Sequence, residues 1–428
     1  EVGGRPEVAS AEPEIRVGLV VAQPEVSVGG GGPLLLSGPN GGGLSELGEG
    51  QSTVVSGTGA TVRARLAGVL GEAVTEMTIR PVETSGTVRV GNREYRGAVV
   101  VTPKPTGVLA VNLLPIDAYV AGVVNAEMGR RPAADSEAVY AQAVISRTVA
   151  MRALGRYRIR GYDVVSTISD QAYGGVQSET AMGWAAVRAT AGEVITAGGA
   201  VIEAFFSSTC GGRTEAVEEV FSGTGQSYLR SVSDRDPSGQ AYCAISPRFR
   251  WREEWSGEAL GVVLRANASV AGLDPATVLN PADLQISGRS VSGRVAELIA
   301  VAGGRAQTIR GQQSIRQVLR GADGGWLRST QFSVQVTRAG GRIVRLTADG
   351  AGNGHGVGMC QWGAVGRARA GAWSARRCRA RIRPLAKGPG QATAWVSNSR
   401  HRAGVQAAPF HHFPGSSPAR PAARASAT

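Results

Sequence analysis

Apolar positions along the chain change period several times. Residues 15–22 (IRVGLVVA) are a β-branched run, and short apolar stretches recur at 61–66, 77–82 and 87–90. Runs of this length and composition predict strands. Gly91-Asn92 then turns the chain into a further strand at 94–101. Residues 29–51 are Gly-rich, contain Pro33 and Pro39, and read as a loop between strands. Its glycines are followed by no Lys-Ser/Thr and open no helix, so they make a poor phosphate loop.

From Leu114 the period becomes helical. Pro115-Ile116-Asp117 has the composition of a helix start, with Pro in the first turn and an acid near the N-terminus. Val120, Val124 and Glu127 then fall at i, i+4 and i+7 on one face. A second helix is expected at about 134–154 and a third at 177–190. Residues 193–196, Gly198-Gly199 and 201–207 read as a tight hairpin. Residues 251–266 read as mixed, ending in a helix. Residues 284–303 and 327–347 are strand-rich, and a Gly-rich loop from Gly350 runs into a short helix at 361–370.

The expected fold class is α+β, a helical core between β-rich N-terminal and C-terminal parts. The expected divisions are a disordered start at 1–13, a β-rich part at 14–112, a helical core at 113–235, a mixed part at 236–371 and a disordered basic tail at 372–428. The tail carries ten Lys+Arg and no acid, with His401, His411, His412 and Cys378. It shows neither period and few large apolar residues. It also changes how the net charge of +13 reads, because the first 371 residues hold 36 basic against 33 acidic residues. The body is therefore close to neutral, and a nucleic-acid partner is not expected. No run of about 18 apolar residues suggests a membrane span. The first residue is Glu1, so the start looks processed, with any signal peptide upstream.

Three groups of residues could carry chemistry. Glu127 sits on an apolar helix face, where partial burial raises a carboxyl pKa and suits it to general acid catalysis. The plainer reading is a half-exposed Glu paired with Arg130 or Arg131. The second group is Gly354-His355-Gly356-Val357-Gly358-Met359-Cys360-Gln361-Trp362-Gly363-Ala364. Its His355 and Cys360 could be a base and nucleophile, or two metal ligands, although a zinc site needs three or four. The third is Ser207-Ser208-Thr209-Cys210-Gly211-Gly212. Cys210 and Cys243 are expected to pair as a disulfide in an exported protein. Free thiols, or half of a metal site with His355 and Cys360, are the alternatives.

These motifs occur in order with LLPIDAYVAGVVNAEM (113–128), AQAVISRT (141–148), DQAYGG (170–175) and YLRSVSD (228–234). The series resembles the SpoIID/LytB domain family over roughly residues 14–371. The resemblance implies a secreted, periplasmic or envelope-associated protein acting on peptidoglycan glycan strands. It implies a lytic transglycosylase with Glu127 as catalytic acid and base. It implies a groove lined by Arg147, Gln171, Tyr173, Ser208, His355 and Gln361. The alternative it implies is a non-catalytic wall-binding modifier that activates an N-acetylmuramoyl-L-alanine amidase. Some family members bind zinc through Cys and His. Here no His lies near Cys210, so no metal ligand is assigned and no cofactor is expected, with zinc as the alternative. Family members continue past the last motif with an apolar helix and a closing strand. The basic text after Gly371 instead suggests a frameshift in a GC-rich coding sequence.

Overall fold

β-branched alternation in the first hundred residues builds two antiparallel-rich sheets. The protein is described by a computed structural model over residues 12–372, except 222, 277, 279 and 280. The basic tail, Cys378 and nearly all of the expected disordered start lie outside the described residues. A seven-stranded sheet runs in the order Val164–Val165, Glu14–Gln23, Gly107–Pro115, Ala98–Lys104, Met77–Pro81, Leu34–Ser37, Gly43–Leu47. A six-stranded sheet runs Arg93–Tyr95, Val88–Val90, Glu25–Gly29, Ser52–Thr58, Thr61–Leu66, Val69–Leu70. Alternate residues of both, such as Ile15, Val17 and Ile79 from one and Val28, Val55 and Val62 from the other, share one core. Each such side chain contributes about 1.5–3 kcal/mol on burial.

Helices α1 (Ile116–Met128), α2 (Ser136–Ala153) and α3 (Ala181–Ala189) extend that core. α1 follows directly on the strand Gly107–Pro115, and buries Tyr119, Val120, Val123 and Val124. It ends at Gly129, whose φ of +69° no longer fits a helix. The C-terminal half has its own core. The strands Arg250–Ser256, Arg342–Ala351 and Phe332–Ala339 form one three-stranded sheet, and Pro281–Arg289, Val295–Ala302 and Arg305–Arg310 form another. Helices α4 (Gly257–Ala266) and α5 (Gln312–Val318) close it around Trp255, Leu260, Leu298 and Ile315. The chain then returns to the first half. Met359–Cys360 pairs in parallel with Phe206–Ser207, and α6 (Gln361–Arg369) follows at once.

The α+β class holds, with four local differences. The Gly-rich stretch expected to be a loop contains the strands Leu34–Ser37 and Gly43–Leu47, because Leu34, Leu36 and Leu47 still alternate into the core. The single strand expected at 94–101 is two, Arg93–Tyr95 and Ala98–Lys104. The third helix starts only at Ala181, where the Thr180 hydroxyl accepts from the Gly183 amide at 3.0 Å. The expected hairpin is short, Thr196–Ala197 with Ala200–Val201. Its second half, Phe206–Ser207, pairs instead with a strand about 150 residues away in sequence.

A buried polar seam joins the halves. The Glu215 carboxylate accepts from Ser290 at 2.5 Å, Ser292 at 2.7 Å and Gln312 at 2.7 Å. Arg294, fully buried, donates to the carbonyls of Cys210 at 2.8 Å and Arg213 at 3.2 Å.

Candidate active site

Glu127 is the penultimate residue of α1, half-buried, at the wall of a cleft of about 820 Å³. Its Oε1 accepts from the Ala172 amide at 2.6 Å. Burial raises its pKa above the ordinary carboxyl value, and the amide bond opposes this only in part. Among the described residues no cation lies within ion-pair distance of Glu127. Neither Arg130 nor Arg131 pairs with it, and Arg131 is engaged elsewhere. Its Nε donates to the Met128 carbonyl at 2.8 Å and its guanidinium lies 4.2 Å over the Trp362 ring. Glu127 is thus a carboxyl whose neutral form is favoured and which opens onto a cleft, the state a general acid needs.

The α1 helix is held to the loop that supplies the Ala172 amide by close packing. A methyl group at Gly122 would lie 2.6 Å from Tyr173 Cε2. Tyr173 is itself buried between Tyr95 and Tyr119, and its hydroxyl donates to Asn112 Oδ1 at 2.8 Å.

Of the six residues expected to line a groove, Ser208, His355 and Gln361 face the same cleft as Glu127. The other three do not reach it. Arg147 is buried, paired with Asp117 at 2.7 Å, and donates to the carbonyls of Thr190 at 2.7 Å, Glu193 at 3.3 Å and Val187 at 3.2 Å. It ties α2 to the start of α1 and the end of α3. Gln171 is buried against the Tyr119 hydroxyl and the Ser146 carbonyl, while its Oε1 has no hydrogen-bond partner. Tyr173 lies beneath α1 as described. These three pack behind the wall and do not line the cleft.

His355 is neutral at ordinary pH, because burial and the nearby Arg316 push its pKa down to about 4. Its Nδ1 accepts from the Val357 amide at 3.1 Å. The ring packs edge-on against Phe205 and Phe221. With Nδ1 taken by the Val357 amide, His355 makes no hydrogen bond to Cys360, whose sulfur accepts from the Cys210 and Gly363 amides at 3.1 and 3.2 Å. The thiol-nucleophile reading loses its base.

Sequence reasoning missed much of the cleft. Arg152, Arg156, Asp170, Glu203, Arg248, Arg316, Trp326 and Asn353 also line it. Asp170 is occupied, accepting from Arg156 at 2.9 Å and from the Val165 amide at 2.8 Å. Arg316 and Trp326 come from the C-terminal half, and no local spacing in the sequence connects them with Glu127.

The pair expected as a disulfide is adjacent and unbonded. The sulfurs of Cys210 and Cys243 are 3.7 Å apart, and all three described cysteines are free. Cys360 and Asp234 join them, so that the four ligand atoms lie within 4.8 Å of one another. Asp234, and not His355, stands with the three cysteines in this group.

Comparison with known proteins agrees with the motif series. Residues 104–196 match the family described as Stage II sporulation protein, and residues 240–358 match a domain of unknown function (DUF8618). An uncharacterized protein of Brachyspira hyodysenteriae is 32% identical over 291 residues, which cover 67% of this chain and 70% of that protein. Stage II sporulation protein D of Bacillus subtilis is 28% identical over 277 residues, 60% of this chain and 69% of that protein.

Proposed function

The chain belongs to the stage II sporulation protein D family, a cell-wall-related group, and from that premise we propose that it cleaves peptidoglycan glycan strands as a lytic transglycosylase. The observation that carries the reading is Glu127, a carboxyl raised by burial, without a cationic partner among the described residues, and open to a cleft large enough for several sugar rings. In the proposed reaction Glu127 protonates the glycosidic oxygen between N-acetylmuramic acid and N-acetylglucosamine as that bond breaks. The resulting carboxylate then accepts the proton of the muramyl 6-hydroxyl as its oxygen attacks C1. The product carries a 1,6-anhydro end. Water takes no part, so one carboxyl serves both steps, where ordinary glycosidases use two. The cationic wall, Arg152, Arg156, Arg248 and Arg316, suits lactyl and peptide-stem carboxylates, and Trp326 offers an apolar face to a sugar ring.

A second reading rests on Glu203, which lines the same cleft. Two carboxylates across a glycosidic bond would hydrolyse it. The substrate lies in the envelope, so an exported location is part of the proposal. The experiment is digestion of purified peptidoglycan with native protein and with Glu127→Gln. Release of soluble fragments by the native protein alone supports Glu127 as the acid. Equal release by Glu127→Gln removes it from the mechanism. No release by either protein, with stimulation of an added N-acetylmuramoyl-L-alanine amidase, supports a wall-binding modifier instead.

A further inference from the structure

We propose that Cys210, Asp234, Cys243 and Cys360 form a closed structural site for one tetrahedral, thiophilic divalent cation, zinc by its ligand chemistry. Three chain segments supply the ligands, Cys210 from one, Asp234 and Cys243 from the 234–243 segment and Cys360 from a third, and all four residues are buried. The distances are those of a coordination shell. Sulfurs about 2.3 Å from a tetrahedral zinc are about 3.8 Å from each other, and Cys210 and Cys243 are 3.7 Å apart. Cys210 Sγ and Asp234 Oδ2 are 3.2 Å apart. A disulfide would use two of the sulfurs and leave the third, with the carboxylate oxygen, directed at the same point.

The surroundings suit a thiolate-rich cation site. Backbone amides point at the sulfurs, Cys210 and Gly363 at Cys360 Sγ, and Gly212 at Cys210 Sγ at 3.4 Å. Such outer hydrogen bonds fix ligand direction and spread the negative charge. Three thiolates, one carboxylate and a divalent ion leave a net charge of about −2. Arg367 lies against the far oxygen of Asp234 at 3.0 Å, and Arg294 holds the Cys210 carbonyl at 2.8 Å. Packing also keeps Asp234 in place, since a methyl group at Gly363 would lie 2.1 Å from its Oδ2. The set has no histidine, and His355 lies in the cleft instead. Four protein ligands leave no open position, which is the form of a structural site. The cation would join the Phe206–Ser207 and Met359–Cys360 strands, α6 and the 234–243 segment. It would thereby fix Ser208 and Gln361 at the cleft wall, whether or not the cleft is catalytic.

The test is metal analysis of the full chain carrying Cys378→Ala, so that three thiols remain to be counted. One zinc per chain is expected, released by a mercurial thiol reagent and detected with a metallochromic dye. Cobalt(II) in its place should give visible bands of a tetrahedral thiolate site. Cys360→Ser should weaken binding by at least ~10-fold, the lower end of what losing even an outer partner costs. If that variant fails to fold, the cobalt spectrum of the parent still decides. Chains that bind neither metal, or that show a Cys210–Cys243 disulfide by mass as isolated, would overturn the proposal.

Discussion

At the residue scale Glu127 is defined by burial and by the absence of a cationic neighbour among the described residues. Burial raises its pKa, so folding favours the protonated form. A carboxyl whose folded pKa lies above the unfolded value contributes stability that is complete below the unfolded value, about 4.3. That contribution is lost as pH rises through the folded value. Glu127→Gln cannot ionise and can still accept the Ala172 amide. Its stability relative to the native protein should therefore rise between about pH 3.5 and about pH 8. Denaturant unfolding at the two pH values checks this, and a constant difference would place Glu127 in solvent. The rate of cleavage should fall on the alkaline side as the acid form is lost. Arg147 makes the opposite case. Its guanidinium meets Asp117 and three backbone carbonyls inside the protein. Arg147→Met should cost about 3–5 kcal/mol, the range for breaking a buried pair. A thermal melt measures it, and a variant with native stability and a raised KM would return Arg147 to substrate binding.

At the element scale, the positions that the chain made legible were those where pattern and packing agree. α1 could be read from Pro115, Asp117 and the Val120, Val124, Glu127 face, and its end from Gly129. The face also showed which carboxyl would be half-buried. The strands Leu34–Ser37 and Gly43–Leu47 were illegible because glycine and proline between them hide an alternation that only Leu34, Leu36 and Leu47 carry. The pairing of Phe206–Ser207 with Met359–Cys360 was illegible for another reason. Two-residue strands have no period, and their partner is set by tertiary contact. Arg147, Gln171 and Tyr173 sit in motifs that look like a ligand site, yet their polar atoms are used, for the most part, to hold α1, α2, α3 and the 170–175 loop together. The packing of α1 on that loop is itself testable. Gly122→Ala would press a methyl group into Tyr173. It should cost about 1–3 kcal/mol, as overpacking does, and should lower activity by shifting the Ala172 amide. Native activity in this variant would show that the loop position does not matter to Glu127.

At the scale of the whole molecule, two hydrophobic cores meet along a cleft that draws residues from both. Glu127, Arg152 and Arg156 come from the first half, Arg316 and Trp326 from the second. The polar seam around Glu215 couples them. Glu215→Ala would leave Ser290, Ser292 and Gln312 without their shared acceptor. Calorimetry should then resolve two transitions in place of one, while a single transition at the native temperature would show that the seam carries little coupling. The juxtaposition of the two halves explains why sequence alone showed one carboxyl and a few motif residues, whereas the cleft also holds a cationic wall, an aromatic face and, besides the ion-paired Asp170, a second carboxyl, Glu203. That second carboxyl makes the chemical outcome the decisive question. The direct measurement is the mass of the fragments that the native protein releases from purified glycan strands. Muramyl ends lighter by one water than the hydrolysis product, absent with Glu127→Gln, are the predicted result. Reducing muramyl ends of full mass would contradict it and assign the cleft to two-carboxylate hydrolysis.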